Sequence, residues 1–436
     1  MLHNIHVKPE VLRNANEAEL LLYAHSSEAK KATAALSDGI IEFQFQTGSR
    51  KRKIKADVLS RFKSTLAALL GDLLHAQSTK DAQGFCWRRS NRASFSSTLA
   101  ESRQYEAIKA SWRQLGYLEV VDGFRGNDDW EGKNYYPDSQ STKWATRLRA
   151  TPKLLKYLAD FGIRPDNAHH HFKRSLGRSQ PVHLKSSKDQ ATGRKKRIEA
   201  PKSPKLRTLE EEVNRINEFL SDQDFSFGPA PYLYRVFNNG ESPDFNWNYG
   251  GRFYASGDNN FIQDKEYRQG LKINGLNAVS LDITACQLTL LHGLIGFELD
   301  VEEDPYQIDG LSRDDVKGQV NIIIGKGGVS KSETDSVNTK AERIEAKVVK
   351  RFPVLNYMRS HGWESLGLQA VESNIMTRTL LRLQDEYSIP ALPVHDCLIV
   401  GEQDADRAEA VFSESFKDEA EVKPKIKREA LDDLDL

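Results

Sequence analysis

The chain has 436 residues, 39% of them apolar, and its 62 lysines and arginines balance 62 acidic residues. Such a length suits two or three domains of a soluble globular protein, and no run of 18 or so apolar residues offers a membrane span. Cys86, Cys286 and Cys397 lie far apart without a Cys-x-x-Cys spacing, and Met1-Leu2-His3-Asn4-Ile5 has no signal-peptide core; both argue against a disulfide framework or zinc ribbon and for a reducing cytoplasm.

Residues 1 to about 55 mix helical and extended periodicities. From Asp57 to Gln77, Leu59, Phe62, Leu66, Leu69, Leu70 and Leu73 recur at helical spacing. A second helix is expected from Ser102, with Tyr105, Ile108, Trp112 and Leu115 on one face and Gly116 as its C-cap. Tyr117–Val121 reads as a strand, 122–143 as a long Gly-, Asn- and Asp-rich tip, and Trp144–Arg149 as a second strand. Thr151-Pro152 then caps a helix through Phe161. This order is that of a winged helix, with the tip as the wing. Arg147 and Arg149 flank it, with Arg88, Arg89, Arg92 and Arg103 near in sequence. Residues 1–164 are therefore expected to form a helical, winged-helix-like domain that binds DNA.

Residues 165–207 are polar and basic, punctuated by Pro181, Pro201 and Pro204, and read as a linker. The run Arg194-Lys195-Lys196-Arg197 within it is either a solvated stretch or a footprint for phosphates. His169-His170-His171 reads as a solvated cluster, since consecutive residues in regular structure cannot all face one ion. Leu206–Leu220 is an amphipathic helix, and 208–436 reads as one unit with an acidic C-terminal stretch from Glu429.

Within this unit, Gly250-Gly251-Arg252 sits among aromatics, where glycines allow close backbone approach and arginine suits a phosphate or base edge. Asp282 ends an apolar strand, and a helical pattern with Gln287 follows. Ser312 caps a helix on which Arg313 and Lys317 share one face, and Asn321 continues it. A helix from Gly367 to about Tyr387 presents Gln369, with Glu372 and Ser373 close by. Pro393-Val394-His395-Asp396-Cys397-Leu398 reads as a tight hairpin with a carboxylate at its tip. Each element has a structural reading as a cap, turn or surface helix; their order is more informative than any one of them.

That order resembles the palm and fingers of family A DNA polymerases and, more distantly, the phage-type single-subunit RNA polymerases, over roughly residues 245–402. The resemblance implies an α+β fold: a right-hand polymerase palm with an antiparallel sheet and reduced helical fingers. Asp282 and Asp396, with the carbonyl of Ile283, would hold two Mg2+ ions, or Mn2+, for nucleotidyl transfer. Arg313, Lys317 and Asn321 would receive the nucleoside triphosphate, and His395 would orient the primer end. Gln287 stands where the family's DNA enzymes discriminate the sugar with glutamate. Arg252 and Gln369, with Arg147 and Arg149, would contact primer and template. The finger helix departs from the family, because Ile324-Gly325 stands one residue early and no aromatic precedes it. The implied partners are a DNA template and primer and nucleoside triphosphates, without a membrane. Replication of a plasmid, phage or mobile element is the expected setting. A primase-like or template-independent nucleotidyltransferase, and a catalytically inactive initiator that only binds DNA, are the alternatives.

Overall fold

The computed structural model describes residues 7–431 with interruptions at 78–81, 96–97, 124, 127–141, 176–179, 190–191, 228–229, 257–259, 263–267, 302 and 330–338. They fall into two compact units, residues 1–179 with 227–230, and residues 180–226 with 231–436. Both mix helices with sheet.

In the first unit the apolar helical repeats become α1 (Ser27–Gln46), α2 (Ala56–Ala76) and α3 (Ser102–Leu115). Phe62, Leu66, Leu69, Leu70 and Leu73 of α2 are buried in one core with Tyr105, Ile108 and Trp112 of α3. Gly116 adopts φ 72° and ends α3 in the left-handed conformation. One sheet of the unit holds β1 (Cys86–Arg88), β2 (Leu118–Val121) and β3 (Thr146–Ala150), with β3 between the other two and antiparallel to both, and Asn16–Glu17 parallel on the far side of β1. Helix α4 (Pro152–Ala159) follows, its first turn held by the Thr151 hydroxyl, which accepts from the amide of Leu154. Most of the expected wing lies outside the described residues.

The arginines on β3 require a correction. Arg147 is buried, and its guanidinium donates to the carbonyls of Leu12 (3.1 Å) and Ala145 (2.6 Å). Arg149 makes a two-nitrogen ion pair with Glu119 at 2.8 and 2.6 Å and donates to the Gln83 carbonyl. Both are expected at DNA; Arg147 is buried on backbone carbonyls, and half-buried Arg149 has its guanidinium on Glu119 and Gln83. The reason is a cover on the sheet: Val11, Leu12 and Ala15 pack with Phe85, Trp87 and Val121.

The stretch expected as a linker carries regular structure instead. Phe172–Arg174 pairs with Leu22–Ala24 in the first unit. In the second unit, β4 (Val182–Lys185) and β5 (Arg197–Ile198) form an antiparallel pair. Two apolar residues of β4 at a spacing of two, Val182 and Leu184, bury with Leu206, Leu209, Phe237 and Trp247. The surrounding basic residues hide that alternation in the sequence.

The second unit continues with α5 (Pro204–Leu220), β6 (Tyr232–Phe237), β7 (Gly250–Ser256), β8 (Leu276–Ile283), α6 (Cys286–Ile295), α7 (Arg313–Gly325), α8 (Lys340–Arg351), α9 (Ser365–Tyr387), β9 (Ala391–Val394), β10 (Cys397–Gly401), α10 (Ala405–Ala420) and β11 (Ile426–Ala430). One sheet runs β5-β4-β6-β7 and is antiparallel except for the parallel pair β4–β6. The other is antiparallel, with β9-β10-β8-β11 in order and the short strand Lys272–Ile273 also pairing with β8. The long helix α9 packs against β7 of the first sheet, β9 of the second, and α5, α6 and α10. Of the acidic C-terminal stretch, Glu429 belongs to β11, and residues 432–436 lie outside the described residues. Among the described residues no helix is long and apolar enough to cross a membrane.

Candidate active site

Strand β8 is the spine of the site. Its residues 278–281 are buried, and Asp282 near its end pairs in register with Cys397 of β10 and Lys427 of β11. Two residues, His395 and Asp396, connect β9 to β10 across the pair Val394 and Cys397. The amide of Ile283 donates to the carbonyl of Asp396 at 3.3 Å. Adjacent strands lie ~4.8 Å apart, so Asp282 and Asp396, remote in sequence, are neighbours at one end of the sheet. The backbone is strained on both sides of them: His395 (φ 58°) and Ala285 (φ 50°) occupy the left-handed region that non-glycine residues disfavour.

A cleft of about 450 Å³ opens at this end. Asp282, Ile283, Gln287 and Asp396 line it, facing Arg313, Lys317 and Asn321 of α7, with Arg252 of β7 and Tyr306 also on its wall. On the β11 side, Lys427 and Glu429 complete the lining. Period-two alternation explains that pair, since Glu429 lies opposite Ser280 and Lys427 opposite Asp282 on the same face.

Burial pushes the Asp282 carboxyl up to about 6, and the charges of Asp396 and Glu429 add to the shift, while Lys317 and Lys427 oppose it. Like charges crowd here, and any pair of carboxylates brought to about 4 Å would repel by roughly 4 kcal/mol at an effective dielectric of 20. An oxygen-rich donor set under that repulsion fits a hard divalent cation such as Mg2+. Among the described residues, no trio containing both aspartates brings its ligand atoms within 4.8 Å of one another. The donor set to consider is therefore the aspartate pair with backbone oxygen and substrate phosphate, without Glu429 as a preformed third ligand.

The two cations of α7 differ. The Ser312 hydroxyl caps the helix by accepting from the Asp315 amide. Arg313 already pairs with Asp304 at 2.6 Å and lies over the Tyr306 ring, 5.2 Å from its centroid. Lys317, one turn on, is exposed and has no ion pair among the described residues. It is the cation in the cleft with charge left for a ligand.

Arg252 is held from behind. Its guanidinium makes two hydrogen bonds of 2.7 Å to Glu372 of α9, whose side chain is 3% exposed. Gln287 also bonds to Glu372. Burial pushes the Glu372 carboxyl up, and Arg252 draws it back toward the charged form. The preceding glycines serve packing: at Gly251 (φ 81°) a Cβ would sit 2.8 Å from Phe237 and from the Ser373 hydroxyl. The fully buried Arg235 donates to the Gly251 carbonyl at 2.7 Å and to Ser373 and Asn374 at 2.9 Å. The glycine pair thus seats β7 on α9.

Two expected residues stand off the cleft. Gln369 is on α9 one turn before Glu372 and is not among the lining residues. His395 lies behind Asp396, edge-on to Tyr254 at 6.4 Å. Burial, then the charge of Arg252, holds the imidazole below its usual range, so it is neutral near pH 7. Its Nδ1 is buried without a hydrogen-bond partner among the described residues. Tyr306, Lys427 and Glu429 were not anticipated from the sequence, because Tyr306 lies outside any helix or strand and β11 is short and highly charged. Glu372 was noticed beside Gln369, but nothing in the sequence tied it to Arg252.

No protein-family model matches the chain, and no curated protein matches it. Among solved structures it is similar to the POL domain of Pol1 from M. smegmatis in complex with DNA primer-template and dNTP, at 13% identity, with a TM-score of 0.29. The match covers 52% of this chain and 52% of that one, so it spans about half the length of the neighbour. A superposition this loose carries no weight for function.

Proposed function

We propose that the second unit is a nucleotidyltransferase that extends a nucleic-acid strand on a template, with the palm and fingers of a reduced family A DNA polymerase. One observation supports this most: the carboxylates of β8 and the β9–β10 turn face the cationic side of α7 across a single cleft. That juxtaposition suits phosphoryl transfer, which needs charge compensation and in-line placement more than covalent help.

Asp282 and Asp396 would hold Mg2+, with the Ile283 carbonyl beside them. Bound there, the metal would lower the pKa of a primer 3′-hydroxyl and neutralise charge on the departing pyrophosphate. In this reading the 3′-oxygen forms a bond to the α-phosphorus as that phosphorus loses the bridging oxygen to the β-phosphate, pyrophosphate leaving and the hydroxyl proton passing to solvent. Lys317 neutralises the triphosphate. Arg313 positions the floor of the cleft through Asp304 and Tyr306. Arg252 is oriented by Glu372, and Gln287 acts with them. His395, neutral and off the cleft, serves as a positioning residue for the turn that carries Asp396. We further propose that the first unit is a winged-helix module that brings DNA to the enzyme by surfaces other than Arg147 and Arg149, in replication of a mobile element.

Primer extension with Mg2+ on defined templates tests the reading. The parent should incorporate the nucleotide complementary to the template, and Asp396→Asn should lose about 10³-fold or more in rate, or ~4 kcal/mol of barrier. Incorporation indifferent to the template base would favour the template-independent alternative. Equal rates for the two proteins would remove Asp396 from catalysis.

A further inference from the structure

The second unit holds another and larger cleft, of about 830 Å³, separate from the one between Asp282 and Lys317. Its walls come from four places: the β4–β5 loop with Lys188 and Lys195, Asn239 after β6, the C-terminal end of α7 with Lys326, and the segment leading into α9 with Arg359 and Trp363. Four cations converge there against one lining carboxylate, Glu364. The cations have different duties. Arg359 donates to the carbonyls of Gly327 and Lys326 and holds the end of α7 in place. Lys195 is half-buried and donates to Asn238 at 2.7 Å. Burial and the charges of Lys188 and Lys185 push its ammonium down, a sign that like charges gather without neutralisation. Lys188 and Lys326 are exposed and have no ion pair among the described residues. Trp363 lines the cleft with a half-buried indole.

We infer that this cleft binds a single-stranded segment of nucleic acid, with Lys188, Lys195 and Lys326 on its phosphates and Trp363 stacked on an unpaired base. A concave surface with excess positive charge and an aromatic face is the combination that holds single strands without reading sequence. An apolar ligand would find too much charge there. A duplex would keep its bases from the indole. The basic run at 194–197, ambiguous in the sequence, contributes Lys195 to this wall because β4 and β5 fold back on each other. This cleft's own residues carry the assignment, independently of the chemistry between Asp282 and Asp396.

Fluorescence anisotropy with a labelled oligothymidylate of about 12 nucleotides, without metal or nucleoside triphosphate, tests it on the full chain. The double substitution Lys188→Glu with Lys326→Glu should weaken binding on the order of tenfold. It should also lower the slope of log affinity against log salt by about 1.4, at roughly 0.7 per lost phosphate contact. Trp363→Leu should weaken the oligonucleotide at least ~fivefold, Trp363→Phe should restore most of that, and neither should change affinity for inorganic tripolyphosphate. If Trp363→Leu and Trp363→Phe both bind as the parent does, the site takes phosphate alone and the strand assignment is overturned. If the charge reversal also leaves affinity and salt slope unchanged, the cleft is not a binding site. Because the assay omits the reaction, a failed primer extension leaves this result standing, and the reverse holds as well.

Discussion

The arginines and lysines expected to meet phosphate are used differently in the two units. In the first, Arg147 is buried on backbone carbonyls, Arg149 is paired with Glu119, and the buried Arg88 donates to the Ala18 carbonyl at 2.8 Å and pairs with Glu17. In the second, Lys317, Lys188 and Lys326 face clefts without ion pairs among the described residues. Arginine density in a sequence therefore says little about where a polyanion binds. What matters is whether the fold has already supplied each cation with an acceptor. Arg313 and Arg252 show the intermediate case, in which a cleft-lining cation carries its own carboxylate and acts more as scaffold than as free charge.

Removing one internally bonded arginine from each unit, buried Arg147 and half-buried Arg252, is the strongest way to break this comparison. Arg252→Ala leaves Glu372 buried and unpaired, and should cost about 3–5 kcal/mol by urea unfolding. Arg147→Ala strands two carbonyls rather than a charge, and should cost about 1–3 kcal/mol for each group left without a donor and without another route to solvent. A loss at Arg252 below about 1 kcal/mol would contradict the assignment of the ion pair with buried Glu372.

Next in size is the free cation. Lys317→Ala should lower kcat/KM for nucleotide addition by about 10- to 100-fold, with unfolding free energy unchanged within ~0.5 kcal/mol. If stability falls instead while kinetics hold, Lys317 belongs with the scaffold cations.

The smallest expected effect is the pH dependence of metal binding. A proton and a cation compete for Asp282, and a carboxyl raised to about 6 lets the proton win earlier than an ordinary aspartate would. Mg2+ affinity, read by calorimetry, should be flat above about pH 7 and fall below about pH 6, by at most ~tenfold per unit for one proton. Asp282→Asn should abolish that slope together with most of the affinity. A slope that begins only near pH 4 would mean that Asp282 is not as buried among like charges as its surroundings indicate.

Local signals were strong wherever short-range chemistry fixes the backbone. The Ser312 and Thr151 caps, Gly116, the helical repeats of α2 and α3, and the two-residue turn at His395-Asp396 could all be read from neighbouring residues. The pairing of Asp282 with Asp396 was reached through the order of motifs, and adjacent strands of one sheet bring them together. Side-chain partners could not be read in this way. Nothing near Arg147 in sequence announces Leu12, nothing near Arg252 announces Glu372, and nothing near Asp282 announces Lys427 or Glu429.

By itself, the sequence determined which residues make helices and turns, and which acidic and basic groups were available for the proposed phosphate chemistry, because propensity, capping and periodicity act over a few residues. Only the tertiary structure decided which charges are spent internally and which face a cleft. A charge's availability depends on its desolvation and its nearest acceptor, and both are set by elements distant along the chain.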